Sequence, residues 1–74
     1  MKKLTPGYYR HYKGKKYLVL GLAKHSETLE PLVIYISLYE NETSQIWARP
    51  LEMFIDEVEV EGERIPRFKF IPEE

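Results

Sequence analysis

The chain has 74 residues, of which 43% are hydrophobic and 14% aromatic, with six tyrosines, one tryptophan and no cysteine. Such a chain is too short for several domains, too apolar for a disordered tail, and lacks the thiols for disulfides or thiolate metal sites. Its net charge of −1 hides a split: residues 1–24 carry seven Lys and Arg and no acid, while the remainder carries four against twelve acids. Two readings of the split stay open, an anionic partner or a basic first strand paired beside the acidic C-terminal part.

A domain of this size buries only about 60% of its unfolded surface, so its large aromatic residues have to supply much of the core. Met1 to Pro6 shows no apolar run after its lysines, and no stretch approaches the roughly 20 apolar residues of a membrane span. Together with the missing cysteines, this pattern predicts a cytoplasmic protein with no membrane partner.

Pro6-Gly7, Gly14, Pro31, Pro50, Gly62 and Pro66 punctuate the chain at intervals of a strand plus a turn, which predicts short antiparallel strands. Gly7 to Tyr12 reads as a first strand, and Lys13-Gly14-Lys15 as a turn. Lys16 to Lys24 reads as a second strand with Leu18, Leu20 and Leu22 on one face and Tyr17, Val19, Gly21 and Ala23 on the other. Leu32 to Tyr39 reads as a third, with Leu32, Ile34, Ile36 and Leu38 on one face and Val33, Tyr35, Ser37 and Tyr39 on the other. The two aliphatic sets are expected to line one core. Glu40 to Gln45 reads as a polar hairpin loop and Ile46 to Arg49 as a short fourth strand, ended by Pro50. Leu51 to Glu57 suits one or two helical turns. Val58 to Val60 and Arg64 to Phe70 read as a closing hairpin around Glu61-Gly62-Glu63. The whole predicts an all-β fold: a small SH3-like antiparallel barrel of five or six strands with one short helical turn.

The candidate site centres on His25-Ser26-Glu27-Thr28-Leu29-Glu30, where an imidazole, two hydroxyls and two carboxylates gather at the end of a strand. These residues suit a polar ligand-binding loop; they equally suit a turn in which side chains cap backbone amides. A metal held by His25 with Glu27, Glu30 or His11 is a third reading. A nucleophilic triad fails, because adjacent strand residues point in opposite directions. On one face of the second and third strands, Tyr17, Tyr35, Ser37 and Tyr39 stand beside the small Gly21 and Ala23, a combination that leaves room for a flat ring. The alternative is a face covered by Leu51 to Ile55 and the C-terminal hairpin. Trp47 and Arg49 alternate onto one side of the fourth strand and suit planar or anionic groups; a core tryptophan with Arg49 paired to Glu27 or Glu52 is the alternative. Lys13-Gly14-Lys15-Lys16 is too short for a phosphate-cradling loop.

Several segments carry a family resemblance. Gly7-Tyr8-Tyr9-Arg10-His11-Tyr12-Lys13-Gly14, with Tyr17 and Val19-Leu20-Gly21, resembles the opening of a bacterial family of uncharacterised proteins, family 1653 of the domains of unknown function. Ala23-Lys24-His25-Ser26-Glu27-Thr28, Leu32-Val33-Ile34-Tyr35, Trp47 to Phe54 and Pro66-Arg67-Phe68 resemble its later motifs. The polar loop before Trp47 departs from the shorter, glycine-containing hairpin expected there. The resemblance implies a small β-rich domain and brings no catalytic residues.

The residues thus predict a binding module that uses His25, Ser26, Glu27, Thr28, Tyr35, Trp47 and Arg49, with Arg49 approaching the loop through Glu27. No cofactor is expected. The ligand is polar and partly planar: a nucleotide, a nucleic-acid segment or a peptide carboxylate. A metal-assisted or His25/Glu27 acid–base hydrolase is the rival function, and an oligomerisation or protein-interaction subunit the third. The oligomeric state is not legible in the sequence.

Overall fold

A computed structural model describes residues 4–72. Among them the chain forms β1 (Gly7–His11), β2 (Lys16–Lys24), β3 (Pro31–Ser37), β4 (Ile46–Pro50), a single helical turn α1 (Leu51–Phe54), β5 (Glu57–Val60), β6 (Glu63–Pro66) and β7 (Phe68–Ile71). Among the described residues, every strand pairing is antiparallel. The fold is therefore all-β with one short helix. Lys2 and Lys3, part of the basic N-terminal charge, lie outside the described residues.

The strands make two sheets rather than one closed barrel. The larger is open, in the order β4-β3-β2-β1-β7, and β5 with β6 forms a separate two-stranded hairpin. The expected return from Arg64 to Phe70 is thus two strands. At Arg67 the backbone donates to Asp56 O at 3.0 Å and accepts from Tyr12 N at 2.9 Å. This double tether passes the chain from the hairpin to the edge of the main sheet. Proline has no N–H for a ladder, which fits Pro66 as the last residue of the first of these strands.

The core lies on the face opposite to the one the aliphatic alternation predicts. Tyr9, Val19, Val33, Tyr35, Leu51, Phe54 and Phe68 are buried, with Leu4, Tyr17 and Trp47 packed against them. Leu18, Leu32, Ile34 and Ile36 are only partly buried, and Leu20 (51% exposed), Leu22 and Leu38 are exposed. Both faces of β2 and β3 read as apolar, so hydrophobicity alone does not choose between them. Ring size does: the Tyr and Phe side chains bury far more area and pack on one another. Phe54 and Phe68 stack at 4.1 Å with planes 5° apart, and Tyr9 and Tyr35 meet the edge of this stack at 5.4–5.9 Å.

A β-bulge adds a second reason. Val19 pairs with Tyr35, but Gly21 pairs with the next residue, Ile34, so Leu20 is the extra residue and the alternation of β2 reverses there. Leu22 therefore shares a face with Val33, while Gly21 and Ala23 turn to the other side with Ile34 and Leu32. Gly21 has φ +153°, a conformation that side chains rarely adopt. Gly7 also has a specific role, because a Cβ there would stand 3.1 Å from the Phe70 ring.

The single turn of α1 follows Pro50 and drops Leu51 and Phe54 into the core beside β3 and β4. Phe54 is 1% exposed. Phe54→Ala should cost about 3–5 kcal/mol, enough to unfold so small a domain, whereas Leu20→Ala should cost no more than about 0.5 kcal/mol, as for other surface changes. Urea unfolding of the two variants checks this; equal losses would place the core on the wrong face.

Candidate functional site

The loop that joins β2 to β3 is built by its own side chains. The His25 ring accepts through Nδ1 from the backbone N–H of Glu27 at 3.2 Å and of Thr28 at 3.3 Å. The His25 backbone donates to Glu30 O at 2.8 Å and accepts from Leu29 N at 2.9 Å, and Thr28 Oγ1 accepts from Glu30 N at 3.2 Å. Leu29 takes a positive φ of 65° inside this frame. His25 and Thr28 thus act as acceptors for the turn, the way Asn and Ser do elsewhere. Ser26 and Glu27 project from it and are exposed.

Tyr35, Trp47 and Arg49 lie elsewhere. Tyr35 pairs with Trp47, and Val33 with Arg49, so all stand on the inner face of the sheet. Arg49 does not turn to Glu27. Its Nε donates to Tyr35 Oη at 3.3 Å, and its guanidinium carbon sits 5.5 Å from the centre of the Phe68 ring. The register explains this: an inward side chain on β4 reaches across β3 towards the aromatic core, away from the exposed turn. Trp47 Nε1 donates to Ser37 Oγ at 3.4 Å, and Trp47 is half-buried against the core. The seven expected site residues therefore divide into a turn and a core-facing group.

Around Arg49 the structure gathers residues that the sequence reading had weighed separately. His11 pairs with Phe68 across β1 and β7, and their rings are 4.9 Å apart. Tyr17 meets Tyr35 at 5.3 Å, Phe68 at 5.6 Å and His11 at 6.5 Å. The Tyr17 and Tyr39 hydroxyls are 2.8 Å apart. Burial and this contact push the Tyr17 hydroxyl well above its ordinary pKa, so it stays protonated. Of the expected ring-stacking face, Tyr17, Tyr35, Ser37 and Tyr39 come together here. The bulge sends Gly21 and Ala23 to the other side.

This end of the aromatic core is cationic. Lys15 Nζ lies 4.8 Å from the centre of the Tyr39 ring and Lys13 Nζ 5.8 Å from that of Tyr12. Arg67 Nε is buried and meets no acceptor. The His11 ring is held below the usual imidazole pKa, first by burial and then by the charges of Arg49, Arg67 and Lys13. The signal available in the sequence was the acid-free run that contains His11, Lys13 and Lys15; the approach of Arg67 from the C-terminal part was not visible there. Chemically, the arrangement offers guanidinium, ammonium and phenol donors beside ring faces. Among the described residues, no three metal-ligating side chains cluster.

Two outcomes follow. His25→Ala should loosen the turn and cost about 1 kcal/mol, while His25→Asn, which keeps a side-chain acceptor, should recover most of the loss in thermal melts. Separately, the His11 ring should titrate below about pH 6.5. Because the folded pKa is depressed, the stability that His11 contributes is present above about 6.5 and declines as pH falls towards the folded value. NMR of the ring protons gives the midpoint, and Arg49→Gln should raise it.

A family model described as a protein of unknown function, DUF1653, matches residues 7–70. The crystal structure of a DUF1653 protein from Bordetella bronchiseptica is similar, with 40% sequence identity and a TM-score of 0.87, covering 92% of this chain and 87% of that one. Among curated proteins, none matches.

Proposed function

Since the chain belongs to the DUF1653 family, whose description assigns no activity, we propose from its own geometry that it is a small binding module for a polar, partly planar anion. The observation that carries this reading is the company of His11. A half-buried imidazole, Arg49, Arg67 and Lys13 share one aromatic end of the molecule, where Arg49 turns to the Tyr35 hydroxyl and the Phe68 ring. Arg49 presents a planar fork suited to carboxylate or phosphate. The buried Arg67 Nε is a donor that an anion would satisfy, where an unmet buried donor costs about 1–3 kcal/mol. Tyr17, Tyr39 and Tyr12 supply ring faces for the planar part. Tyr35 and Trp47 act from beneath, Tyr35 by orienting Arg49 and Trp47 by filling the wall.

In this reading Ser26 and Glu27 are at most a distant rim, because His25 and Thr28 are committed to the turn. The same commitment disfavours the hydrolase built on His25 and Glu27: two backbone amides already occupy the imidazole nitrogen that such a base would use. We also read the connectivity as SH3-like. A meander β1-β2-β3-β4, a helical turn, and a last strand returning beside β1 follow that plan, although the sheet stays open. The cytoplasm is the proposed compartment, on the cysteine-free composition.

A second reading, a subunit that associates through protein contacts, is favoured by the other face of the sheet. There Leu18, Ile34, Ile36 and the 61% exposed Ile46 form an apolar stripe.

Isotope-labelled protein titrated with a nucleoside monophosphate and with a short peptide carboxylate tests the main reading. At least one of the two should shift His11, Tyr17 and the Arg49 side chain at millimolar concentration or below. Arg49→Ala should weaken that binding about tenfold, the loss of one charge-assisted contact. Shifts confined to the β2–β3 turn, or none with either probe, would reject the site.

A further inference from the structure

A concavity lies just beyond His11. It is a groove of about 340 Å³ between the start of the β1–β2 turn and the β5–β6 hairpin, lined by Arg10, His11, Tyr12, Ile65, Pro66 and Lys69. Its size falls at the small end of ordinary ligand sites. Its lining is mainly apolar, with Tyr12, Ile65 and Pro66 among the residues that form it, and the Tyr12 ring packs on His11 at 4.6 Å. Its rim is cationic, because Arg10 pairs with Lys69 across β1 and β7 and with Lys16 across β1 and β2. Directly paired residues share a face, so Lys16, Arg10 and Lys69 form a row across three strands at about 4.8 Å per strand. Arg10 and Lys69 are exposed. His11 lines the groove and also touches Phe68, so the groove adjoins the Arg49 end.

We propose that this groove and the cation row beside it hold a single-stranded nucleic acid, with one base against Tyr12 and Pro66 and its flanking phosphates on Arg10 and Lys69. The inference rests on the anion-binding reading above for its second anchor, at His11 and Arg49. Charge complementarity selects the partner class: successive phosphates meet successive cations, and every base offers a ring face to Tyr12. A duplex keeps its bases stacked inside and has none to lend to the groove. An acidic peptide would use the cations but gain nothing from the apolar lining.

Fluorescence anisotropy with oligothymidylate and oligouridylate, beside the same titration with a nucleoside monophosphate, tests the proposal. Each phosphate neutralised on a single strand contributes about −0.7 to the slope of log affinity against log salt. Two seats on Arg10 and Lys69 therefore predict at least a sevenfold fall in affinity, roughly, between about 50 and 200 mM salt. The double variant Arg10→Gln, Lys69→Gln should remove that part of the slope. It should leave the monophosphate shifts at Arg49 intact. Tyr12→Leu should weaken oligonucleotides of any sequence, with circular dichroism confirming the fold of each variant. An oligonucleotide that binds no better than a monophosphate would overturn the groove and leave the anion site standing. Equal competition by polyglutamate would overturn the nucleic-acid assignment. Oligonucleotide binding without any monophosphate shift at Arg49 would support the groove and reject its second anchor.

Discussion

The stack of Phe54 on Phe68 is the contact on which the rest of this small protein depends. One ring comes from the single helical turn and the other from the last strand, so the 4.1 Å stack ties together two segments that share no hydrogen-bonded ladder. Tyr17, Tyr35 and His11 meet Phe68 at 4.9–5.9 Å, and Arg49 lies over it. A cysteine-free chain of this length has neither disulfides nor a thick aliphatic core to fall back on. Its cohesion comes from a few large rings in mutual contact, and the candidate site is the fringe of the same ring cluster. Stability and recognition therefore share side chains here, and Arg49 belongs to both.

Much of the architecture was legible in the sequence because the punctuation is strong. Gly14, Pro31 and Pro50 mark strand ends close to where the structure has them, and β2 begins and ends at the expected residues. The helical turn after Pro50 was equally visible, since Leu51 and Phe54 recur at helical spacing before an acidic stretch. Legibility failed where two faces carried equal hydrophobicity. Leu18-Leu20-Leu22 and Leu32-Ile34-Ile36-Leu38 read as cleanly as any core pattern, yet the aromatic side won. The bulge at Leu20 then broke the strict alternation on which the assignment rested. The break at Arg67 was hidden for a different reason: it depends on hydrogen bonds to Asp56 and Tyr12, partners far away along the chain.

The candidate site was legible in part. Residue chemistry singled out Tyr35, Trp47 and Arg49, but expected them beside the His25 loop, whereas the structure has them together on the core face; it also singled out the His25 loop as unusual. What it could not weigh was how fully a histidine can satisfy a turn from within. The cations at His11 were present in the sequence only as a charge imbalance. Pairing β1 with β7 and β3 with β4 converts that imbalance into a local field, since it brings Arg49 and Arg67 to the side where residues 10–16 already lack any acid.

The pairing of β1 with β7 also has a consequence for how the protein comes into being. Synthesis runs from the first strand to the last, so β1 to β4 leave the ribosome as a meander that can pair in order. Its tyrosine face stays open to water until residues 68–71 emerge and travel back to the beginning of the sheet. A nascent chain stalled before Phe68 carries a ladder without a core, an exposed strand edge where β7 belongs, and the sticky character of both. Residues 68–71 thus act as a latch on the whole sheet: they have to emerge before the domain can become a solid.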